Sequence, residues 1–229
     1  MLSSFGVAFE AVNVEGNPAA LKELERLGVA LVPAVALADQ VVHGWNPKGV
    51  AELVGVEYAE PVRLQPVELL DRLDRVLAAS QRAIRQVPTD KLEFKPPQRD
   101  RTIRQLGYHV FRLSVAFPLA VEQNRLLEEW LTEPAPRSLQ DGDAIARYGE
   151  GVRARLKEWY HAAPAESFDW VVDTYYGPQT TWGLLERTTW HAAQHLRQLY
   201  ALLEMLGIAP DRPMTDADFT GLPLPKALW

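Results

Sequence analysis

The sequence contains no cysteine, no long hydrophobic run and no cluster of lysine or arginine. Without cysteine the chain cannot form disulfides, thiolate metal ligands or a dithiol redox pair, so thiol chemistry requires a separate small-molecule thiol or a partner. No apolar run approaches the roughly 18 residues of a membrane span, and the start MLSSFGVAFE lacks the basic and apolar regions of a secretory signal. A net charge of −6 without a basic cluster offers no electrostatic surface to nucleic acid. These absences predict a soluble, cytoplasmic protein that binds neither membranes nor nucleic acid.

The composition is that of a globular protein, with 47% hydrophobic and 24% charged residues. A length of 229 residues allows one large domain, or one of about 150 residues with a smaller companion. Residues 57–66 (EYAEPVRLQP) contain two prolines and no clear periodicity, which is typical of a linker. We therefore predict a small domain over residues 1–56, a linker over 57–66 and a larger domain over 67–229.

Short alternating elements are predicted for the small domain. Asparagine at a helix start followed by proline marks two N-termini, and runs of β-branched residues mark the strands. The order βαββα defines a small α/β domain. In sequence, we predict a strand over 7–14, a helix over 17–27 capped by Asn17, a hairpin of strands 34–37 and 40–43 around Ala38-Asp39, and a helix over 47–54 capped by Asn46.

Long amphipathic helices dominate the larger domain. Apolar residues recur at steps of three and four in four segments, which is the pattern of helices that bury one face in a bundle. The segment WVVDTYY, before Gly177-Pro178, is rich in β-branched and aromatic residues and predicts a short extended piece. The fold class is therefore mainly α, a four-helix bundle. Its helices are predicted over residues 67–86, 102–130, 143–161 and 180–207, with the extended piece over 170–176.

His191 and His195 lie four residues apart in the last predicted helix, so their imidazoles lie on one face. This spacing can aim two imidazoles at one metal ion. A neutral imidazole without a partner in a core costs about 1 to 3 kcal/mol, so the pair requires either dedicated hydrogen-bond acceptors or a shared cation. The seam predicted to face the core consists of Leu184, Thr188, His191, His195, Gln198 and Leu202.

A third ligand is expected from His109, because Leu106, His109 and Leu113 fall on one line of the second bundle helix. Three imidazoles from two helices leave coordination positions free for water or substrate, as in catalytic metal sites. The ligand set suits zinc or nickel. Imidazole also suits copper and iron, but no carboxylate shares these seam positions, which argues against a 2-His-1-carboxylate iron site.

Residues 61–229 resemble the DinB-like family of four-helix bundles, whose signature is one histidine on the second helix and H-x-x-x-H on the fourth. His109 in TIRQLGYHVFRL and the pair His191 and His195 in TTWHAAQHLRQL match those positions, and Gln198 falls where the family often has a glutamine. The family includes metal-dependent transferases that act with low-molecular-weight thiols such as mycothiol or bacillithiol, and members without assigned activity. The resemblance implies a transferase or hydrolase that uses a thiol or water on a small-molecule substrate. The alternative is a non-catalytic module that binds a metal or a small molecule.

Residues 5–56 resemble the glutaredoxin and thioredoxin-like fold from the end of its first helix onward, and Val32-Pro33 matches the position of that family's cis-proline. The family's first strand and its Cys-x-x-Cys would lie upstream of Met1, and the missing strand belongs to the middle of the sheet. Three explanations compete. The start codon is set too late, the piece is a vestige packed on the larger domain, or two chains complete each other's sheets as a homodimer.

No catalytic residue is assigned from the sequence. Aromatic and polar residues near helix ends are candidates for the mouth of the site, but such aromatics are more often part of a core. The candidates are Tyr108, Tyr148, Asp173, Tyr175, Tyr176 and Gln194.

Overall fold

The chain folds into two compact units, Met1–Arg63 and Leu64–Trp229, in a computed structural model. The structure describes residues 2–14, 17–29, 32, 34–43, 46–58, 63–225 and 227–229. The finer division into a domain over 1–56, a linker over 57–66 and a domain over 67–229 stays a proposal.

The first unit contains helix α1 (Pro18–Arg26), strands β1 (Ala34–Leu37) and β2 (Gln40–His43), and helix α2 (Pro47–Val54), after a 3-10 turn at Leu2–Phe5. Both helices begin as predicted, because the side chain of Asn17 accepts a bond from the Ala20 N–H at 3.2 Å and that of Asn46 from the Gly49 N–H at 2.8 Å. The two strands pair antiparallel. Helix α2 packs on this hairpin through buried Val50 and Ala51.

The predicted strand over residues 7–14 is wrong. These residues are described, but they form no strand, and in the described part of this unit the sheet consists of β1 and β2 alone. A strand requires a hydrogen-bonded neighbour. No strand of the described residues pairs with this segment, and Phe9 and Val12 within it are 53% and 56% exposed. The predicted order βαββα therefore lacks its first strand. Pro33, the proposed cis-proline, lies outside the described residues, and the thioredoxin-like resemblance stays a prediction.

The second unit is a four-helix bundle, as predicted. Its long helices are amphipathic, and each buries its apolar stripe in one common core. Within the described residues, none of the helices combines the length and the apolar character that crossing a bilayer requires. In chain order the elements are α3 (Pro66–Arg85), α4 (Ile103–Gln123), β3 (Arg125–Leu126), α5 (Glu128–Thr132), α6 (Gly142–Ala162), β4 (Val171–Thr174), β5 (Gln179–Thr180) and α7 (Thr181–Met205), with 3-10 turns at Thr89–Lys91, Ala165–Asp169 and Asp216–Phe219.

Consecutive helices α3 and α4 stand at opposite corners of the bundle. Helices α3 and α4 each pack against both α6 and α7, whereas they touch one another far less. Phe111 and Phe117 of α4 are fully buried, and the ring of Phe117 meets Trp159 of α6 edge to face at 4.8 Å. This arrangement makes α4 and α7 direct neighbours, so side chains from these two helices can share one site.

The continuous helix predicted over residues 102–130 is wrong at residues 124–127, because α4 ends at Gln123 and the chain is helical again only in α5. Asn124 adopts the left-handed conformation with φ 53° and caps α4, a position that asparagine tolerates better than most residues. The chain then pairs in parallel with β4, with Arg125 opposite Asp173 and Leu126 opposite Thr174. Strands β3, β4 and β5 form a three-stranded sheet in that order. The short helix α5 follows β3 in the chain.

Candidate metal centre

His109 is the seventh residue of α4 and lies on the side that faces α7. Helix α4 begins with a capping box in which Thr102 Oγ1 accepts from the Gln105 N–H and Gln105 Oε1 accepts from the Thr102 N–H, both at 3.1 Å. The His109 ring is partly buried, and its single N–H donates to the backbone carbonyl of Leu131 in α5. That bond leaves the second ring nitrogen free to act as a ligand.

His195 of α7 is held in one tautomer by a short chain of amide groups. Its Nδ1 lies 2.7 Å from Oε1 of Gln198, and Nε2 of Gln198 donates to the backbone carbonyl of Leu228 at 2.7 Å. Because the Leu228 carbonyl can accept only, the Gln198 oxygen faces the histidine, and Nδ1 of His195 carries the proton. Nε2 is therefore the unprotonated nitrogen, and it is buried without a partner among the described residues.

The structure brings the three histidines of the sequence prediction together. One ligand nitrogen from each of His109, His191 and His195 lies within 4.8 Å of the other two, so the group could hold a metal ion. The ring centroid of His109 lies 5.7 Å from that of His191 and 4.9 Å from that of His195. The centroids of the two α7 histidines are 4.7 Å apart. His195 is buried, while His191 is partly buried. That these residues bind a metal stays a prediction.

Burial lowers the pKa of all three imidazoles. The pKa of His109 falls to about 3, chiefly through burial and then through the nearby His195 and Arg101. The pKa of His195 falls to about 4, again chiefly through burial, although its bond with Gln198 acts in the opposite direction. Burial and the two neighbouring histidines hold the pKa of His191 well below its ordinary value. At neutral pH the three rings are therefore uncharged, which is the form that binds metals.

A cavity of about 500 Å³ opens beside the three imidazoles. This volume suits a small organic molecule. Its wall is partly apolar, with Leu106, Leu131, Leu202, Tyr175 and Trp229. Two arginines, Arg99 and Arg101, and two acidic residues, Asp100 and Glu128, also line it.

Of the candidates named from the sequence, Tyr175 lines this cavity. It also lines an adjoining cavity of about 650 Å³, together with Asp173. Gln194 points elsewhere, because its side-chain amide donates to the carbonyls of Ala227 at 3.0 Å and Leu228 at 2.7 Å. Gln194 therefore anchors the C-terminal segment, to which Gln198 also bonds.

The three remaining candidates belong to packing interactions. Tyr108 and Tyr148 contact each other with ring centroids 5.2 Å apart, and Tyr108 is buried between helices α4 and α6. The guanidinium of Arg187 lies 4.4 Å above the ring of Tyr176. A cation over an aromatic face stabilises this corner of the bundle.

Sequence reasoning missed four contributors to the site: Arg99, Arg101, Leu131 and Trp229. Leu131 lies one residue beyond the helix predicted over 102–130, and its role depends on the early end of α4. The two arginines fall in a loop without periodicity, where the one readable signal is a pair of arginines eight and ten residues before His109. The C-terminal segment carries no pattern that places it beside α7.

A four-helix bundle with three converging histidines beside an open cavity defines the class of this protein: a helical-bundle protein with a histidine site. The sequence profile described as DinB superfamily matches residues 58–199, and the chain therefore belongs to the DinB superfamily. None of the curated proteins matches the chain.

Two solved structures from Bacillus subtilis resemble the chain. The DinB-like protein YjoA is 16% identical, with a TM-score of 0.51, and the match covers 64% of this chain and 95% of that one. YfiT, described as "a probable metal-dependent hydrolase with an unusual four-helix bundle topology", is 17% identical, with a TM-score of 0.48 and coverage of 67% and 96%. At such identities, the likeness to YjoA supports the fold.

Proposed function

We propose that this chain binds a divalent metal ion, zinc or nickel, through His109, His191 and His195, and acts on a small molecule as a metal-dependent transferase or hydrolase. The observation that carries the proposal is the buried Nε2 of His195, which has no partner in the described part of the chain while Gln198 holds Nδ1. Leaving such an acceptor unpaired is unfavourable. A shared cation, one of the two alternatives that the sequence left open for the histidine pair, would satisfy it.

The donor set fits such an ion. Three nitrogens bound at about 2.1 Å to one tetrahedral ion lie roughly 3.4 Å apart, so the group has to close from its present limit of 4.8 Å when it binds an ion. Neutral imidazoles suit zinc and nickel, and the outer bonds to Leu131 and Gln198 fix which nitrogen of His109 and His195 is available. Three protein ligands leave positions open, as catalytic sites require.

A divalent ion at this position supplies Lewis acidity, which makes water or a thiol nucleophilic near neutral pH. The chain itself orients the imidazoles, keeps them deprotonated and offers a cavity of about 500 Å³ to the substrate. Because the sequence has no cysteine, a thiol nucleophile has to enter as a low-molecular-weight cosubstrate. Water and such a thiol are the two nucleophiles to test.

The variant His191→Ala tests the proposal. We expect it to lose metal binding and turnover and to lower the stability of the bundle by only a few kcal/mol, since the apolar seams of four helices remain. Metal content is measured on protein purified without chelator or nickel resin. Turnover is measured with a panel of low-molecular-weight thiols and an electrophile, and separately with esters and amides without thiol.

His161→Ala is the matched control, because His161 is an exposed histidine at the end of α6, away from the cavity. It should retain metal content and turnover. Equal turnover by wild type and His191→Ala would rule out the catalytic proposal. If His191→Ala were instead largely unfolded at room temperature, the ion would be structural, and a non-catalytic module would be the better description.

The second candidate, a non-catalytic module, draws support from the bond between Gln198 and Leu228. Through it, the histidine site is linked to the C-terminal segment, so binding of a ligand at the histidines would be coupled to the position of that segment. Exchangeable water at the metal and an accessible cavity favour the enzyme, whereas a closed coordination shell favours the module.

A further inference from the structure

Two arginines stand on the wall of the cavity that contains the three histidines. Arg99 and Arg101 both line it, and both lie in the loop before α4. Arg101 is partly buried and Arg99 is exposed. The positive charge of Arg101 acts on all three imidazoles, whose pKa values it lowers. Arg101 and the three histidines line the same cavity, so a ligand in that cavity can meet both the guanidinium and the imidazoles.

The loop that carries these arginines is fixed by backbone hydrogen bonds. The Arg99 N–H donates to the Pro96 carbonyl at 3.2 Å, and the Ile103 N–H donates to the Phe94 carbonyl at 3.1 Å. The Arg104 N–H donates to the carbonyl of buried Leu92 at 2.9 Å. The capping box of α4 follows directly. The two guanidinium groups therefore project from a backbone that is tied down on both sides, which lowers the entropy lost when they hold a ligand.

Neither arginine has a carboxylate partner within the residues that the structure describes. Asp100, which lies between them, pairs with Lys95 at 2.5 Å and is exposed. Arg104, a few residues further on, does pair, with Glu93 at 2.7 Å. The surrounding segment thus supplies carboxylates for its other cations, but it leaves Arg99 and Arg101 unpaired towards the cavity.

Holding these two cations together is unfavourable without an anion. Burial, and then the like charge of Arg99, lower the pKa of Arg101. Glu128 lines the same cavity, but it is exposed in the first turn of α5 and forms no ion pair with either arginine. The three imidazoles are neutral. A negatively charged ligand in the cavity would satisfy both guanidinium groups, which suit the oxygens of carboxylates and phosphates.

We infer that the substrate is a small molecule with an oxyanion group, a carboxylate or a phosphate, and that Arg99 and Arg101 bind this group beside the three histidines. The inference rests on the proposed function for what happens at the histidines, but the arginine site itself requires no metal. The anionic group would anchor the molecule, and the remainder would extend over the imidazoles within the cavity of about 500 Å³.

The test is calorimetric titration of the full chain with succinate and, separately, with inorganic phosphate, in metal-free and zinc-loaded protein. We expect binding in the metal-free protein. Because charge-assisted bonds to a fork of N–H groups are lost, Arg99→Gln and Arg101→Gln should weaken it about tenfold or more. Arg101→Lys should weaken it less, since it keeps the charge. A preference for succinate or for phosphate identifies which oxyanion the site takes.

Arg137→Gln is the charge-matched control, because Arg137 is exposed and does not line the cavity. It should bind both anions as the wild type does. Equal binding by wild type and Arg99→Gln would overturn the inference, and so would equal losses in Arg99→Gln and Arg137→Gln. Because the Arg99 side chain is exposed, its substitution leaves the core of the bundle unchanged. Binding of zinc and of nickel is measured on the same proteins. Anion binding without binding of either metal would refute the proposed function alone, and metal binding without anion binding would refute this inference alone.

Discussion

His195 is held in a neutral state by its surroundings. The ring is 8% exposed, Gln198 bonds one nitrogen, and the other is buried and unpartnered among the described residues. Protonating this ring in the fold would place a charge beside two further imidazoles and Arg101. The unfolded chain has no such penalty. The histidine group therefore links the stability of the metal-free protein to pH.

We predict that the metal-free protein loses stability as the pH falls from about 6.5 towards 4. The ordinary histidine pKa is about 6.5, and the folded values are about 3 for His109 and about 4 for His195. Between these limits the unfolded state binds more protons, so the free energy of unfolding decreases on acidification, by at most about 1.4 kcal/mol per pH unit for each histidine. Urea denaturation at pH 7, 6 and 5 measures this slope.

His195→Ala is expected to have a shallower slope over that range, because one of the buried neutral rings is removed. His161→Ala, which removes an exposed histidine, should keep the wild-type slope. Carboxylates held by ion pairs add a slope of their own at low pH, and that contribution is common to all three proteins. If wild type and His195→Ala had the same slope, the buried histidine would not be the source.

The histidines could be predicted from the sequence because their evidence is local: a spacing of four places His191 and His195 on one face, and the apolar line of Leu106 and Leu113 orients His109. Arg101 could not be predicted, because its place depends on backbone bonds that close the loop before α4. The position of the Leu131 carbonyl beside His109 depends on the change of chain direction after Asn124. The spacing of apolar residues does not predict this change.

At the scale of secondary-structure elements, helix starts were the most predictable features. The side chains of Asn17, Asn46 and Thr180 each accept a hydrogen bond from a backbone N–H at the start of a helix. Asn17 and Asn46 were predicted as caps, and Thr180 was predicted as the first residue of its helix. The end of α4 was missed, because the helical pattern continues into α5 and a single left-handed Asn124 interrupts it. The strand predicted over residues 7–14 does not form. A composition rich in strand-forming residues is not sufficient when no neighbouring strand pairs with the segment.

The start of α6 and the end of α3 approach closely at Gly142. A Cβ there would lie 2.1 Å from the carbonyl oxygen of Ile84 and 3.3 Å from the Cα of Arg85, both backbone atoms. Backbone cannot rotate away as a side chain can, so the two helices would have to separate. We predict that Gly142→Ala lowers the free energy of unfolding by about 1 to 3 kcal/mol, measured by urea denaturation.

Gly151→Ala is the control on the same helix. A Cβ at Gly151 meets nothing within 4 Å, and the position is exposed. Since alanine has a higher helix propensity than glycine, this change should raise stability by up to about 1 kcal/mol. The two substitutions are chemically identical and are predicted to have opposite signs. A Gly142→Ala protein as stable as the wild type would show that α3 and α6 are not held at this distance.

At the scale of the whole molecule, the two units differ in how much core they have. The bundle buries long apolar seams from four helices, and it contains every residue of the proposed metal and oxyanion sites. In the first unit, the buried apolar residues among those described are Val29, Val50 and Ala51. So small a core supports little independent stability. A docked vestige and pairing between two chains are two of the three explanations that the sequence leaves open for the missing strand of this unit.

Removal of the first unit tests whether the bundle and its histidines depend on it. A chain of residues 61–229 should remain helical by circular dichroism and should bind zinc as the full chain does, because neither its core nor its histidines are removed. Light scattering on both proteins tests the pairing of the first unit: if two copies complete each other's sheets, the full chain is a dimer and the shorter chain a monomer. Loss of helical structure on truncation would contradict the division into two domains. A monomer in both cases would exclude the homodimer and favour a first unit that packs within its own chain.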